Sequence, residues 1–118
     1  EKFKNIIEDN KGLAYKPKRE HLQVIIPKEP LDIIREGSAL SHCVASYVDK
    51  VIDGKCLILF LRSVVNENDS LVTIEIKDGD IINAKGFSNR KPNNAEKIFL
   101  IKYGKEKGLD TTFLRYWK

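Results

Sequence analysis

The sequence predicts an α+β fold: a small antiparallel or mixed sheet of about four strands with two or three helices packed on it. Four stretches carry that prediction. The run Lys55–Ser63 (KCLILFLRS) is apolar at consecutive positions, as a strand buried on both faces is. Leu71–Lys77 alternates and leads into Asp78-Gly79, a favoured two-residue hairpin turn. Residues 38–52 carry apolar side chains at helical spacing with Gly54 after them, and residues 95–107 follow a capping asparagine and precede Gly108.

From the N-terminus, Glu1–Asp9 places Phe3, Ile6 and Ile7 at helical spacing and reads as a short helix or a frayed tail, broken by Asn10-Lys11-Gly12. Lys16, Pro17, Lys18 and Arg19 form a basic loop, either a solvated connector or an arm facing phosphate. His21–Ile26 predicts a strand stopped by Pro27. Pro30 suits the first turn of a short helix over Leu31–Arg35, which Gly37 ends. Ser38 then predicts the N-cap of a longer helix reaching about Ile52 and closed by Gly54. Leu40, Val44, Tyr47, Val48 and Val51 form its core face. Cys43 lies on that side, one turn before Tyr47, and His42 lies on the flank.

Beyond the central strand, Val64–Ser70 is a polar loop. In the next strand Val72, Ile74 and Ile76 point one way; Leu71, Thr73, Glu75 and Lys77 point the other, to solvent or a cleft. The return strand runs from Asp80 to about Lys85. Gly86–Pro92 is a loop, and Asn93 or Asn94 caps a last helix over Ala95–Lys107 with Lys97, Lys102, Lys105 and Lys107 on its polar face. In the tail, Phe113, Leu114, Tyr116 and Trp117 are expected to pack on the sheet or on a neighbour.

The chain has 118 residues, which fits one domain spanning 1–118. With 42% hydrophobic and 32% charged residues it is too apolar for a disordered chain. No apolar run approaches the roughly 18–20 residues of a membrane-spanning helix, so no membrane partner is expected. Cys43 and Cys56 provide no disulfide framework; unpaired, buried thiols and a cytoplasmic, reducing setting are expected. The absence of methionine and the initial Glu1 suggest a piece of a longer parent protein, whose remainder is an expected partner. A net charge of +4 permits contact with a polyanion without requiring it.

Several residues can carry chemistry. Near a helix N-terminus Cys43 favours thiolate, and His42 can serve as its base or orienting partner. Neighbours in a helix point about 100° apart, so adjacency does not join them; the plainer reading is a core cysteine beside a hydrogen-bonded histidine. His21, His42, Cys43 and Cys56 show no CxxC or HxxxH spacing, and no metal site is expected. Glu75 shares a strand face with Thr73, where a half-buried carboxylate can act as acid or base, or merely sit on a solvated face. Arg62, ending the central strand, can anchor a carboxylate or phosphate, or tie to Glu75 or Glu36. Gly86, Asn89 and Arg90 can hold an anion. No nucleotide-binding loop or cofactor fingerprint occurs, so no cofactor is assigned.

Glu36-Gly37, Leu40-Ser41-His42-Cys43-Val44, Tyr47, Gly54 and Leu61-Arg62, followed by Thr73-Ile74-Glu75, Gly86 and Asn89-Arg90, resemble the PcfJ-like family in the same order. The resemblant core spans about residues 22–103. Ala84 departs from it, standing where a glutamine is expected. The resemblance implies a bacterial setting of conjugative plasmids, phages and related mobile elements, and a clustered set of polar residues; it supplies no reaction. One expectation is therefore a pocket that binds or processes a nucleotide or nucleic acid, with His42, Cys43 and Glu75 as catalytic candidates and Tyr47, Arg62, Thr73, Asn89 and Arg90 holding substrate. The alternative is a non-catalytic module that binds nucleic acid or protein through Lys16, Lys18, Arg19, Lys91 and Lys97, its polar cluster serving the fold.

Overall fold

The computed structural model describes residues 1–117. Four strands, β1 (Leu22–Ile25), β2 (Leu57–Ser63), β3 (Ser70–Lys77) and β4 (Asp80–Lys85), form one sheet in the order β1-β2-β3-β4. All three pairings are antiparallel, with Val24 opposite Leu61, Leu59 opposite Ile74, and Ile74 opposite Ala84. β2 is interior, which explains its continuous apolar run: residues 58–61 are buried on alternating faces. Asp78 and Gly79 both adopt positive φ, as a two-residue hairpin turn matching the strand twist requires. Register shifts mark one bulge at Leu61/Arg62 in the β2–β3 pairing and another at Glu75/Ile76 in the β3–β4 pairing.

Among the described residues five helices flank the sheet, more than the two or three expected: α1 (Lys2–Asp9), α2 (Pro30–Leu40), α3 (Val48–Ile52), α4 (Asn94–Lys107) and α5 (Thr112–Tyr116). α4 and α5 cover one face, where Phe99, Leu100, Tyr103 and Leu114 pack with Leu59, Leu61, Val72, Ile74 and Ile81. α1, α2 and α3 cover the other, with Phe3, Ile33, Val44 and Val51 against Ile58 and Phe60. Two segments clamp the outer strands: Tyr15 pairs with Val24 on β1, and the Ile81 amide of β4 donates to the Asp110 carbonyl. Among the described residues no helix is long and apolar enough to cross a membrane.

The expected helix over Ser38–Ile52 does not exist. α2 runs unbroken from Pro30 through Gly37 and Ser38 to Leu40, opened by Asp32, whose carboxylate accepts from the Lys28 and Glu29 amides at 2.8 and 3.3 Å. Gly37 is not a stop but a contact: a Cβ there would lie 3.2 Å from both the Ala45 nitrogen and the His42 carbonyl. Ser41 ends the helix in the left-handed region (φ 50), letting the His42 amide donate to the Gly37 carbonyl at 3.1 Å. A 3-10 turn, Cys43–Tyr47, and the short α3 complete the connection. The last helix matches expectation: Asn93 caps α4, and Gly108 closes it at φ 69.

Candidate functional site

The tight seam between α2 and the following turn brings His42 over the sheet. Its Nε2 lies 2.9 Å from Thr73 Oγ1. Its Nδ1 accepts the Val44 amide at 3.4 Å, which fixes the tautomer: Nε2 carries the proton and donates to Thr73. The Thr73 hydroxyl in turn donates to Glu36 Oε2 at 3.1 Å. Glu36 Oε1 accepts from Ser70 Oγ at 2.6 Å and from Arg62 Nη2 at 2.5 Å. Arg62 Nη1 donates to the Glu67 carbonyl at 3.0 Å, and its guanidinium stands 4.8 Å over the Phe60 ring. The Glu36 side chain is wholly buried. This is a continuous chain, imidazole to hydroxyl to carboxylate to guanidinium, in which both ring nitrogens of His42 are engaged and only Arg62 Nε is buried without a partner. Burial holds His42 below the usual histidine range and Lys85 adds to that, while the Glu36 carboxylate opposes it.

In front of the chain lies a half-open hollow of about 80 Å³. His42, Cys43, Tyr47, Thr73, Glu75 and Asn89 line it. Val44, Ile58, Asn83 and Lys85 complete the walls. β3 and β4 place the polar floor: Glu75 is opposite Asn83, and Thr73 opposite Lys85. The unsatisfied character of this floor contrasts with the chain behind it. Among the described residues, no N–H or O–H group is hydrogen bonded to the Glu75 carboxylate, and no ion pair engages Lys85. The carboxylate of Glu75 raises the Tyr47 phenol above its usual range. The rim is built on left-handed backbone at Ser41 (φ 50), Ser88 (φ 51) and Asn89 (φ 63), each costing on the order of 1 kcal/mol outside glycine.

Two sequence candidates lie outside the hollow. Arg62 is behind it, held by Glu36. Arg90 forks onto Glu96 at 2.8 and 3.1 Å and reaches the Leu71 carbonyl, tying the loop to the start of α4. Its side chain lies against Gly86, where a Cβ would fall 2.7 Å from the guanidinium. Arg90 is spent on Glu96, and Arg62, held by Glu36, lies on the wall of a separate groove with Lys28 and Arg35. Lys16, Lys18 and Arg19 are exposed beside Tyr15, whose ring packs on Phe99 and Tyr103 of α4. Lys91 stands 5.6 Å over the Trp117 ring, and Lys97 is on α4. These basic residues belong to the α4 layer, across the sheet from the hollow.

The family described as PcfJ-like protein matches residues 1–100. The chain belongs to the PcfJ-like family. The match reaches further towards the N-terminus than the resemblance over about residues 22–103, taking in α1. Over 72 residues this PcfJ-like chain is 40% identical to an uncharacterized protein of Listeria innocua serovar 6a, Lin1253/Lin1744. That stretch is 59% of this chain and 16% of the Listeria protein, so the chain matches a small part of a much longer relative. No solved structure matches.

Sequence reasoning left three participants out of the site. Glu36, the hub of the buried chain, enters the sequence reading as a partner for Arg62 and in the family resemblance but not as a site residue; its signal is its place between Ile33 and Leu40 on the buried face of α2. Asn83 and Lys85 share a β4 face, and the Asp78-Gly79 hairpin sets them opposite Glu75 and Thr73. Cys43 departs from expectation in the other direction. It is an exposed thiol on a 3-10 turn, neither packed in the core nor at the start of a long helix, so the helix-dipole argument for thiolate lapses. Cys56 is buried and pushed up to about 11, chiefly by burial and further by Glu75. Titration with an aromatic disulfide at pH 7.5 should modify Cys43 quickly, while Cys56 reacts only on unfolding. Equal rapid reaction of both thiols would contradict this burial.

Proposed function

We propose that this PcfJ-like domain binds a nucleotide or a nucleic acid through the hollow, as part of a longer bacterial mobile-element protein. The observation that supports it most is the contrast between the two carboxylates: Glu36 is filled from within by Ser70, Thr73 and Arg62, and no N–H or O–H group among the described residues fills Glu75. A structural network buries satisfied groups, whereas a recognition surface leaves donors and acceptors turned to an open space. The volume, about 80 Å³, is well below the roughly 300–1,000 Å³ of sites that enclose a whole small molecule. It suits the edge of a ring, with the rest of the ligand outside. Lys50, whose Nζ lies 4.1 Å over the Tyr47 ring, supplies a cation at the rim.

Binding, rather than a reaction, is what the arrangement supports. His42 has no ring nitrogen free to act as base, and its role is to hold the rim turn on the sheet. Glu75 is the acid or base candidate, and Cys43 the nucleophile candidate, of any processing step. Amide chemical-shift mapping of the isotope-labelled protein with nucleoside monophosphates and short single-stranded oligonucleotides tests the reading. Shifts should concentrate at residues 42–47, 73–75, 83–85 and 89. Shifts confined to Lys16–Arg19, Lys91 and α4, falling steeply with salt, would replace it with the basic-surface module. No shifts with any ligand would overturn it.

A further inference from the structure

Which base the hollow takes follows from the order of its donors and acceptors, granted the nucleotide reading above. Glu75 offers two acceptor oxygens side by side. Next to it across the strand pair, Asn83 uses its Oδ1 to accept the Ala84 amide at 3.0 Å, leaving its NH₂ as donor. Lys85, diagonal to Glu75, adds three more donors. The floor therefore reads acceptor, acceptor, donor.

Charge narrows the ligand further. A cation such as a guanidinium would suit Glu75 but meet Lys85, and a bare anion such as phosphate would suit Lys85 but meet Glu75. A neutral edge carrying two adjacent donors and one acceptor satisfies both. We propose that the hollow takes the Watson–Crick edge of a guanine base, with N1–H and the N2 amine donating to Glu75 and O6 accepting from Asn83 or Lys85. Adenine presents an acceptor where Glu75 needs a donor. Cytosine sets two acceptors against the carboxylate. Uracil offers one donor flanked by two carbonyls. Tyr47, on the wall, provides an aromatic surface for the ring.

Calorimetric titration of the whole chain with the 5′-monophosphates of guanosine, inosine, adenosine and cytidine decides it. Guanosine monophosphate should bind at least about 10-fold tighter than the adenosine and cytidine forms, as a bidentate pair implies. Inosine, lacking the N2 amine, should fall between. Pentamers with one central guanine in an adenine run, set beside the free nucleotide, tell which source binds better: a tighter pentamer assigns the site to a single strand, a tighter monophosphate to a free nucleotide. Glu75→Gln should abolish the preference for guanosine, and a glutamine in its place keeps a polar partner for the buried Cys56 thiol beside the carboxylate, so the variant should still unfold cooperatively. Equal binding of all four nucleotides would overturn the guanine assignment and leave the nucleotide reading standing. Binding of neither nucleotides nor pentamers would remove both. The wild-type comparison alone is decisive if Glu75→Gln does not fold.

Discussion

Glu36→Gln should destabilise the protein by about 3–5 kcal/mol, measured as the shift in urea midpoint at constant slope. The expected loss is large because the substitution removes only one half of a buried pair. Arg62 keeps its charge, is 9% exposed, and has no other carboxylate within reach among the described residues. Its Nε is already buried without a partner, so the guanidinium has little hydrogen bonding in reserve. Ser70 and Thr73 would also lose an anionic acceptor, and with Thr73 the link to His42. Removing the opposite charge as well, in Glu36→Leu with Arg62→Met, should recover much of the loss, since apolar groups of similar volume often replace a buried ion pair at little cost. A loss below about 1 kcal/mol for Glu36→Gln would mean that water screens the pair as it does a surface salt bridge.

Tyr103→Ala should cost a similar amount, about 3–5 kcal/mol, through a different cause. The residue is completely buried in the α4 face of the sheet and packs 5.7 Å from the Tyr15 ring. Its hydroxyl donates to the Leu13 carbonyl at 2.8 Å, joining α4 to the segment before β1. Burial raises this phenol well above its ordinary range. Tyr103→Phe separates the two contributions: it keeps the ring and should lose only about 1 kcal/mol with the hydrogen bond. Thermal unfolding followed by circular dichroism gives both numbers. A Tyr103→Phe variant as unstable as Tyr103→Ala would assign the effect to the hydroxyl rather than to packing.

The strands were legible because their burial is one-dimensional: β2 is apolar throughout, and β3 alternates up to a diagnostic turn. The helical stretch was not, because two residues act against their usual habits. Gly37 normally marks an end, but here it lets two backbones approach. Ser41 holds the left-handed bend that glycine usually takes. Moving that bend four residues turned a presumed helix start at His42 and Cys43 into a loop rim, and exposed Cys43. Six of the eight candidates proposed for chemistry do line one hollow, since period-two alternation fixes where Thr73 and Glu75 point. The two arginines do not, because each finds a carboxylate, Glu36 or Glu96, that no local pattern identifies as its partner.

The clamps on the outer strands have a bearing on assembly. Val24 exchanges both of its outward backbone hydrogen bonds with Tyr15, and Ile81 spends its amide on Asp110. An approaching chain that tried to extend the sheet from either margin would meet a backbone already occupied at that point, which discourages fibre-like stacking. Association with this unit is thereby favoured through side-chain complementarity on its helical flanks, where it can be tuned one substitution at a time.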